Sequence, residues 1–250
     1  MAADSAVYFV ADGAARAINL VLVLAYTRLL VPADYGILAV TSSLTQLLVP
    51  VLGLAIVASV SRFYFEATSD EARRRLYLTT LTFLLIVPTV VLAVIEALGE
   101  TGLLDVIHGV PYAPYLRLAV LAAYVSVFTD LPVAVYIVRH QAPRVAALTV
   151  ANAALLLGSS LLLVVGLHEG VRGVLYAAVF SGAVMAVVGI VLSLRLIGRR
   201  VRPSGRLLTA MLLFSLPLAP HLLAQWVLQI SDRVVLSRYV TSASLGLYYV

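Results

Sequence analysis

The run Leu76-Tyr-Leu-Thr-Thr-Leu-Thr-Phe-Leu-Leu-Ile-Val-Pro-Thr-Val-Val-Leu-Ala-Val-Ile-Glu-Ala97 carries one charge, Glu96, and follows directly on Arg73-Arg74-Arg75. A helix that crosses the hydrocarbon core of a bilayer needs about twenty predominantly apolar residues, and this run supplies them. Outward from it, apolar stretches of the same kind cover residues 5–30, 35–59, 113–138, 144–167, 172–197 and 207–236. Seven spanning helices are therefore expected. An eighth stretch opens near Ser244 and ends with the chain at Val250, too short to cross, so the chain is expected to be a fragment of a longer one.

Composition agrees. The 250 residues are 62% hydrophobic and 12% charged, whereas a soluble globular domain is about 25% charged. All seventeen basic residues are arginine, and the formal charge is +5. These arginines lie between apolar runs instead of forming a basic arm interleaved with exposed aromatics, which argues against nucleic acid as a partner. Cysteine is absent, which excludes a disulfide framework or a thiolate metal site, so folding must rest on helix packing in lipid. The N-terminus lacks the basic region and small-residue cleavage site of a signal peptide, and Asp12 and Arg16 interrupt its first apolar stretch, so that helix is expected to be retained.

Arginine placement sets the expected orientation, because cytoplasmic loops hold an excess of positive charge. The even-numbered connections carry eleven arginines (62, 73, 74, 75, 139, 144, 195, 199, 200, 202 and 206) and the odd-numbered ones three (28, 172 and 238). The N-terminus is expected in the cytoplasm of a multi-pass protein of the inner (plasma) membrane.

The basic segment Gly198 to Arg206 reads as a cytoplasmic linker. The fold class expected is thus an all-α polytopic bundle. An N-terminal six-helix lobe covers 1–200, and the start of a second lobe, helix seven and the beginning of helix eight, covers 201–250. An even number of spans before the linker makes any repeat parallel. An offset of 210 residues pairs Arg28 with Arg238, Gly36 with Gly246 and Val40 with Val250, and sets Asn19 against Gln229.

Ser5-Ala-Val-Tyr8, Arg16 and Tyr26-Thr-Arg-Leu-Leu-Val-Pro-Ala-Asp-Tyr-Gly36 together resemble the opening of the polysaccharide-export flippases, the O-antigen flippase-like branch of the multidrug/oligosaccharidyl-lipid/polysaccharide exporter superfamily. Leu216-Pro-Leu-Ala-Pro220, Ser231-Asp-Arg233 and Leu245-Gly-Leu-Tyr248 are similar to the start of that family's second lobe. The resemblance implies two six-helix lobes around a central cavity. It also implies transport of an undecaprenyl-diphosphate-linked oligosaccharide from the cytoplasmic to the outer leaflet by alternating access. Lipid-linked oligosaccharide, membrane lipids and glycan polymerase machinery are the partners expected; no cofactor is.

Charges retained within spans are the candidates for function, since each costs about 2.5–3.5 kcal/mol near mid-bilayer. Asp12 and Arg16 are four apart on one helix face, close enough to pair, and Asn19 continues that face. Arg16 is a candidate for the lipid diphosphate, because a guanidinium holds phosphate oxygens in a bidentate fork. Asp12 would hold Arg16 or take up a coupling proton. The plainer reading is self-neutralisation near the interface, where arginine snorkels. Arg62 closes the second span and is either a phosphate-gathering residue or an inner-end anchor. Arg233, near the outer end of the seventh stretch, is either a cavity residue or an interface anchor.

Asp130, two residues before Pro132, is a candidate cation or proton site, or else a cap on a proline-broken turn. Pro217 and Pro220 weaken the seventh helix, as a gating bend or a static kink. Tyr112, Tyr115, Tyr124, Tyr136, Tyr248 and Tyr249 suit a membrane-interface belt better than a sugar platform.

The rival from another class is a membrane polymerase or ligase. Its candidate groups in the longest outer loop are Glu100, Asp105 and His108, and no metal-ligand cluster, phosphate-binding glycine loop or nucleophile elbow is present. No catalytic or metal-ligating residue is assigned and no enzyme is expected. A drug/cation antiporter or a lipid II flippase of the same superfamily is the nearer alternative, and Arg16 favours an anionic lipid-linked substrate over a cationic drug.

Overall fold

The computed structural model describes residues 2–101, 110–198, 201–218, 220, 221 and 224. It is all-helical among those residues, with no strand. Helices α1 (Ala2–Leu29), α2 (Pro32–Gly53), α3 (Ile56–Glu66), α4 (Asp70–Glu100), α5 (Arg117–Val138), α6 (Ala142–Ser160), α7 (Gly170–Ile197) and α8 (Gly205–Ser215) follow in order. A π-helical turn, Leu161–Gly166, extends α6. Pro111 and an extended Ala113 (φ −97°, ψ 129°) lead into α5. Six segments are long and apolar enough to cross a membrane: Ala6–Leu29, Pro32–Gly53, Asp70–Gly99, Tyr112–Val138, Ala142–Gly166 and Gly170–Ile197. They coincide with the first six stretches read from the sequence. Of the seventh, α8 and a few residues beyond it are described; the eighth lies outside the described residues.

Two boundaries differ from expectation. The second stretch is not one helix to residue 59: α2 ends at Gly53 and α3 begins at Ile56, with Leu54 (φ 44°) and Ala55 (φ 53°) both left-handed between them. The Leu54 and Ala55 amides turn back to the carbonyls of Val51 (3.2 Å) and Pro50 (3.3 Å), so the last turn closes on itself. Pro50, which brings no donor of its own, and Gly53 three residues later weaken the helix at this place. In addition, Arg73 to Arg75 lie on α4 instead of in a loop. Ser69 caps α4 by accepting from the Ala72 amide (3.2 Å), and Asp70 and Glu71 occupy its first turn, where the helix dipole favours acids.

α5 is the hub. Its Val127, Leu131 and Val135 are fully or nearly fully buried, together with Leu52 of α2, Ile56 and Val60 of α3, Leu76, Tyr77 and Leu84 of α4, and Met211 of α8. The α5–α7 contact is close because α7 presents glycines to it. A Cβ at Gly189 would collide with the Phe128 carbonyl oxygen, and one at Gly182 with a Val125 methyl. Small residues that let backbones approach are the usual basis of helix packing in lipid. α1 packs mainly on α6.

Hydroxyls tie the helices across their seams. Tyr26 donates to Ser160 Oγ (2.9 Å), Thr45 to the Ala119 carbonyl (3.2 Å), and Thr89 and Tyr124 share a bond of 2.9 Å. Phe9, Leu20, Leu24, Val90, Phe180, Val187 and Leu213 are exposed, the apolar exterior that a lipid-facing bundle presents.

Candidate functional site

Polar groups within the spanning segments line two cavities that both border α5. The first, about 310 Å³, lies between α1, α5, α6 and α7. Its polar lining is Asn19 of α1, Thr129 of α5, and Thr149 and Asn152 of α6; Ala15, Val133 and Met185 are among its apolar walls. The Thr129 and Thr149 hydroxyls donate within their own helices, to the carbonyls of Ser126 (2.9 Å) and Val145 (3.1 Å). The amides of Asn19 and Asn152 have no hydrogen-bond partner among the described residues. These amides offer donors and acceptors suited to hydroxyl-rich ligands.

Arg16 is one turn before Asn19. Its Nε donates to Asp12 Oδ2 at 2.8 Å, with the two side chains 79% and 63% exposed. An exposed i,i+4 pair of this kind contributes only a few tenths of a kcal/mol. The pair therefore orients Arg16 more than it neutralises it. A guanidinium with five donors keeps most of them available when one is engaged.

The second cavity, about 210 Å³, is lined by Asp130 together with Val49, Pro50, Gly53, Ala55, Ile56, Val57, Ala58 and Leu84. The break between α2 and α3 thus forms one wall and Asp130 is the charge facing it. Asp130 has no hydrogen bond or ion pair among the described residues. α5 runs unbroken through Pro132. Of the two readings left open by the sequence, the cap on a broken turn does not occur, because the turn is not broken and the carboxylate caps nothing.

Arg62 is not among the residues lining either cavity. Its Nε donates to Glu66 Oε1 (2.9 Å) and its Cζ lies 4.7 Å from the Phe214 ring centre. It clamps α3 to α8, with Phe63 and Phe214 edge to face beside it. α8 ends at Ser215, two residues before Pro217, with a turn at Leu216 and Pro217 and both prolines exposed. Arg233, Asp232, Tyr248, Tyr249, Asp105, His108 and the second member of each repeat pair lie outside the described residues.

The tyrosines are engaged in packing. Tyr124 stacks edge to face on Phe128, Tyr136 is buried beneath Arg144, and Tyr115 faces Arg172. Sequence reading missed Asn152, Thr149 and Thr129, which look like ordinary polar interruptions of apolar runs until α1 is laid on α6. It also missed the helix break, whose signal was Pro50 followed by Gly53.

A family model described as polysaccharide biosynthesis protein matches residues 1–250. The chain belongs to this family. Neither a curated protein nor a solved structure matches it. Members of the polysaccharide biosynthesis protein family are generally transporters, and the six apolar helices make this member a multi-pass membrane protein with a role in polysaccharide biosynthesis and export.

Proposed function

We propose that this polysaccharide biosynthesis protein moves an undecaprenyl-diphosphate-linked oligosaccharide from the cytoplasmic to the outer leaflet of the inner membrane, with its N-terminus in the cytoplasm. The observation that carries the reading is the arrangement on and beside α1. An exposed arginine, oriented by Asp12, lies one turn from a cavity whose free groups are the uncharged amides of Asn19 and Asn152. A diphosphate needs a cation and a fork of donors. A sugar needs neutral donors and acceptors at membrane depth, where an unmet hydroxyl is costly. Asp130 is the proposed coupling group, a carboxylate in its own cavity that takes up a proton or a monovalent cation. Pro217 and Pro220 are the proposed gating bend, and Arg62 and Arg233 are the lesser substrate contacts of the reading. Glycan polymerase machinery would take the product on the outer face.

The test is a deletion of the gene in its host, complemented with wild type or Arg16→Ala, with lipid-linked oligosaccharide quantified in each leaflet. Accumulation in the cytoplasmic leaflet, relieved by wild type and not by R16A, supports the reading. A leaflet distribution that deletion leaves unchanged overturns it and favours the drug/cation antiporter, for which Asp130 would carry the coupling ion alone.

A further inference from the structure

A third cavity, about 620 Å³, opens where α5, α6 and α7 meet at the arginine-rich end of the bundle. Arg144, in the first turn of α6, and Arg195, in the last turn of α7, both border it and both are exposed. Arg144 lies over the ring of the buried Tyr136, 5.3 Å from its centre, and donates to Gln141 Oε1 at 2.9 Å. Arg195 has no hydrogen bond or ion pair among the described residues. Arg195 is where a helix dipole favours a cation; Arg144 is where it disfavours one, and α6 has no acid in its first turn to compensate. Between the two guanidiniums the lining is Tyr136, Ala147, Ala151, Leu192 and two further leucines, so that the cavity has a cationic mouth and a floor that is aliphatic apart from one tyrosine.

We infer that this cavity is a binding site for an anionic phospholipid, whose phosphate bridges Arg144 and Arg195 and whose acyl chain lies along Ala147 and Ala151. Two arginines from different helices hold phosphate oxygens by charge-assisted bonds, and basic pockets between membrane helices on the cytoplasmic side suit lipid headgroups. The anion also relieves the uncompensated α6 terminus. A glycan-bearing diphosphate fits less well, because beyond the arginines its many hydroxyls would meet one tyrosine and otherwise aliphatic side chains. The leaflet assigned to the lipid follows the orientation proposed above; the binding itself is independent of the transport reading.

The experiment uses the whole protein in nanodiscs of phosphatidylcholine with graded phosphatidylglycerol, with native mass spectrometry of the retained lipid. Wild type is expected to retain phosphatidylglycerol preferentially, and R144Q/R195Q to lose that preference by about thirtyfold, since each arginine near a lipid surface is worth about 1 kcal/mol. R75Q/R202Q, which removes the same charge elsewhere, is expected to keep it, as is R144K/R195K in large part. Ala147→Trp fills the exposed groove without changing charge and is expected to abolish retention, which provides a second arm should the double glutamine variant not fold. Equal retention of the two lipids by wild type, or an unchanged preference in both R144Q/R195Q and A147W, overturns the proposal. So does displacement of phosphatidylglycerol by an equimolar prenyl diphosphate, which would assign the cavity to the substrate's chemistry.

Discussion

Replacing Asp130 should stabilise the protein while impairing transport. A carboxylate at the centre of a membrane helix costs about 2.5–3.5 kcal/mol on insertion scales, and a leucine there is favourable by about 0.3–0.6 kcal/mol. Asp130 recovers none of that cost from a protein partner among the described residues. Its cavity of about 210 Å³ has room for several waters at about 30 Å³ each, and those offset part of the penalty. A net gain of about 1–2 kcal/mol is expected for Asp130→Leu, which corresponds to about 3–6 °C in the unfolding midpoint of a chain this size. Asp130→Asn should gain less, since it keeps a polar group in the cavity. The assay is thermal unfolding in one detergent, read by tryptophan fluorescence and by monodispersity, beside the leaflet measurement for the same variants. A lower midpoint for both variants with transport intact would show that the carboxylate makes a structural contact, and the argument for a coupling site would fall.

Three further outcomes are expected. Gly189→Ala sets a methyl against the Phe128 carbonyl, backbone that cannot rotate aside, so α7 must move off α5; overpacking of this kind costs about 1–3 kcal/mol and should appear as a lower unfolding midpoint. Ala55→Gly should stabilise by about 0.5–1 kcal/mol, because relief of a left-handed alanine, about 1–2 kcal/mol, exceeds the added freedom of the unfolded chain, about 0.4–1 kcal/mol; a loss in denaturant titration would contradict the positive φ of 53°. Arg16→Lys should retain partial flipping where Arg16→Ala retains none, since lysine keeps the charge and loses the fork.

The membrane spans were legible because hydrocarbon demands long apolar runs whatever the helices then pack against, so residues 76–97 and their counterparts declare themselves one helix at a time. The Asp12–Arg16 pair was legible for the same reason, being a contact within one helix. What was not legible depended on two helices at once. Asn152 has no meaning until α1 lies on α6 and brings Asn19 to it, and Gly189 reads as an ordinary apolar-stretch residue until α7 is pressed on Phe128. The contact of Arg62 with Phe214 was not legible because the two residues are about one hundred and fifty apart in sequence. The break at Leu54–Ala55 is intermediate: Pro50 and Gly53 signal a weak place, but the left-handed pair that turns α3 away is fixed by packing of Ile56 and Val60 into the core.

The handling of carboxylates elsewhere in the chain gives Asp130 its weight. Asp12 is paired with Arg16, Glu66 with Arg62, Asp70 with Arg73, Glu71 with Arg75 and Glu96 with Arg117 (2.9 Å), while Asp34 accepts the Val31 amide at the start of α2. Six acids on four helices each have a partner, and Glu169, whose carboxylate has no hydrogen bond or ion pair among the described residues, is exposed between two spans, so a bare carboxylate inside a span is not this sequence's ordinary way of tolerating charge. Asp130 departs from that practice, and it does so beside the one place where the α2–α3 backbone leaves helical geometry. Both irregularities are admissible at membrane depth only where they border a cavity instead of lipid, and they border the same one. Thr129, the neighbouring residue on α5, opens to the Asn19–Asn152 cavity, because successive residues of a helix diverge by about 100°. A single helix thus borders both the cavity of the unpaired charge and the neutral polar cavity, and any displacement of α5 alters both together.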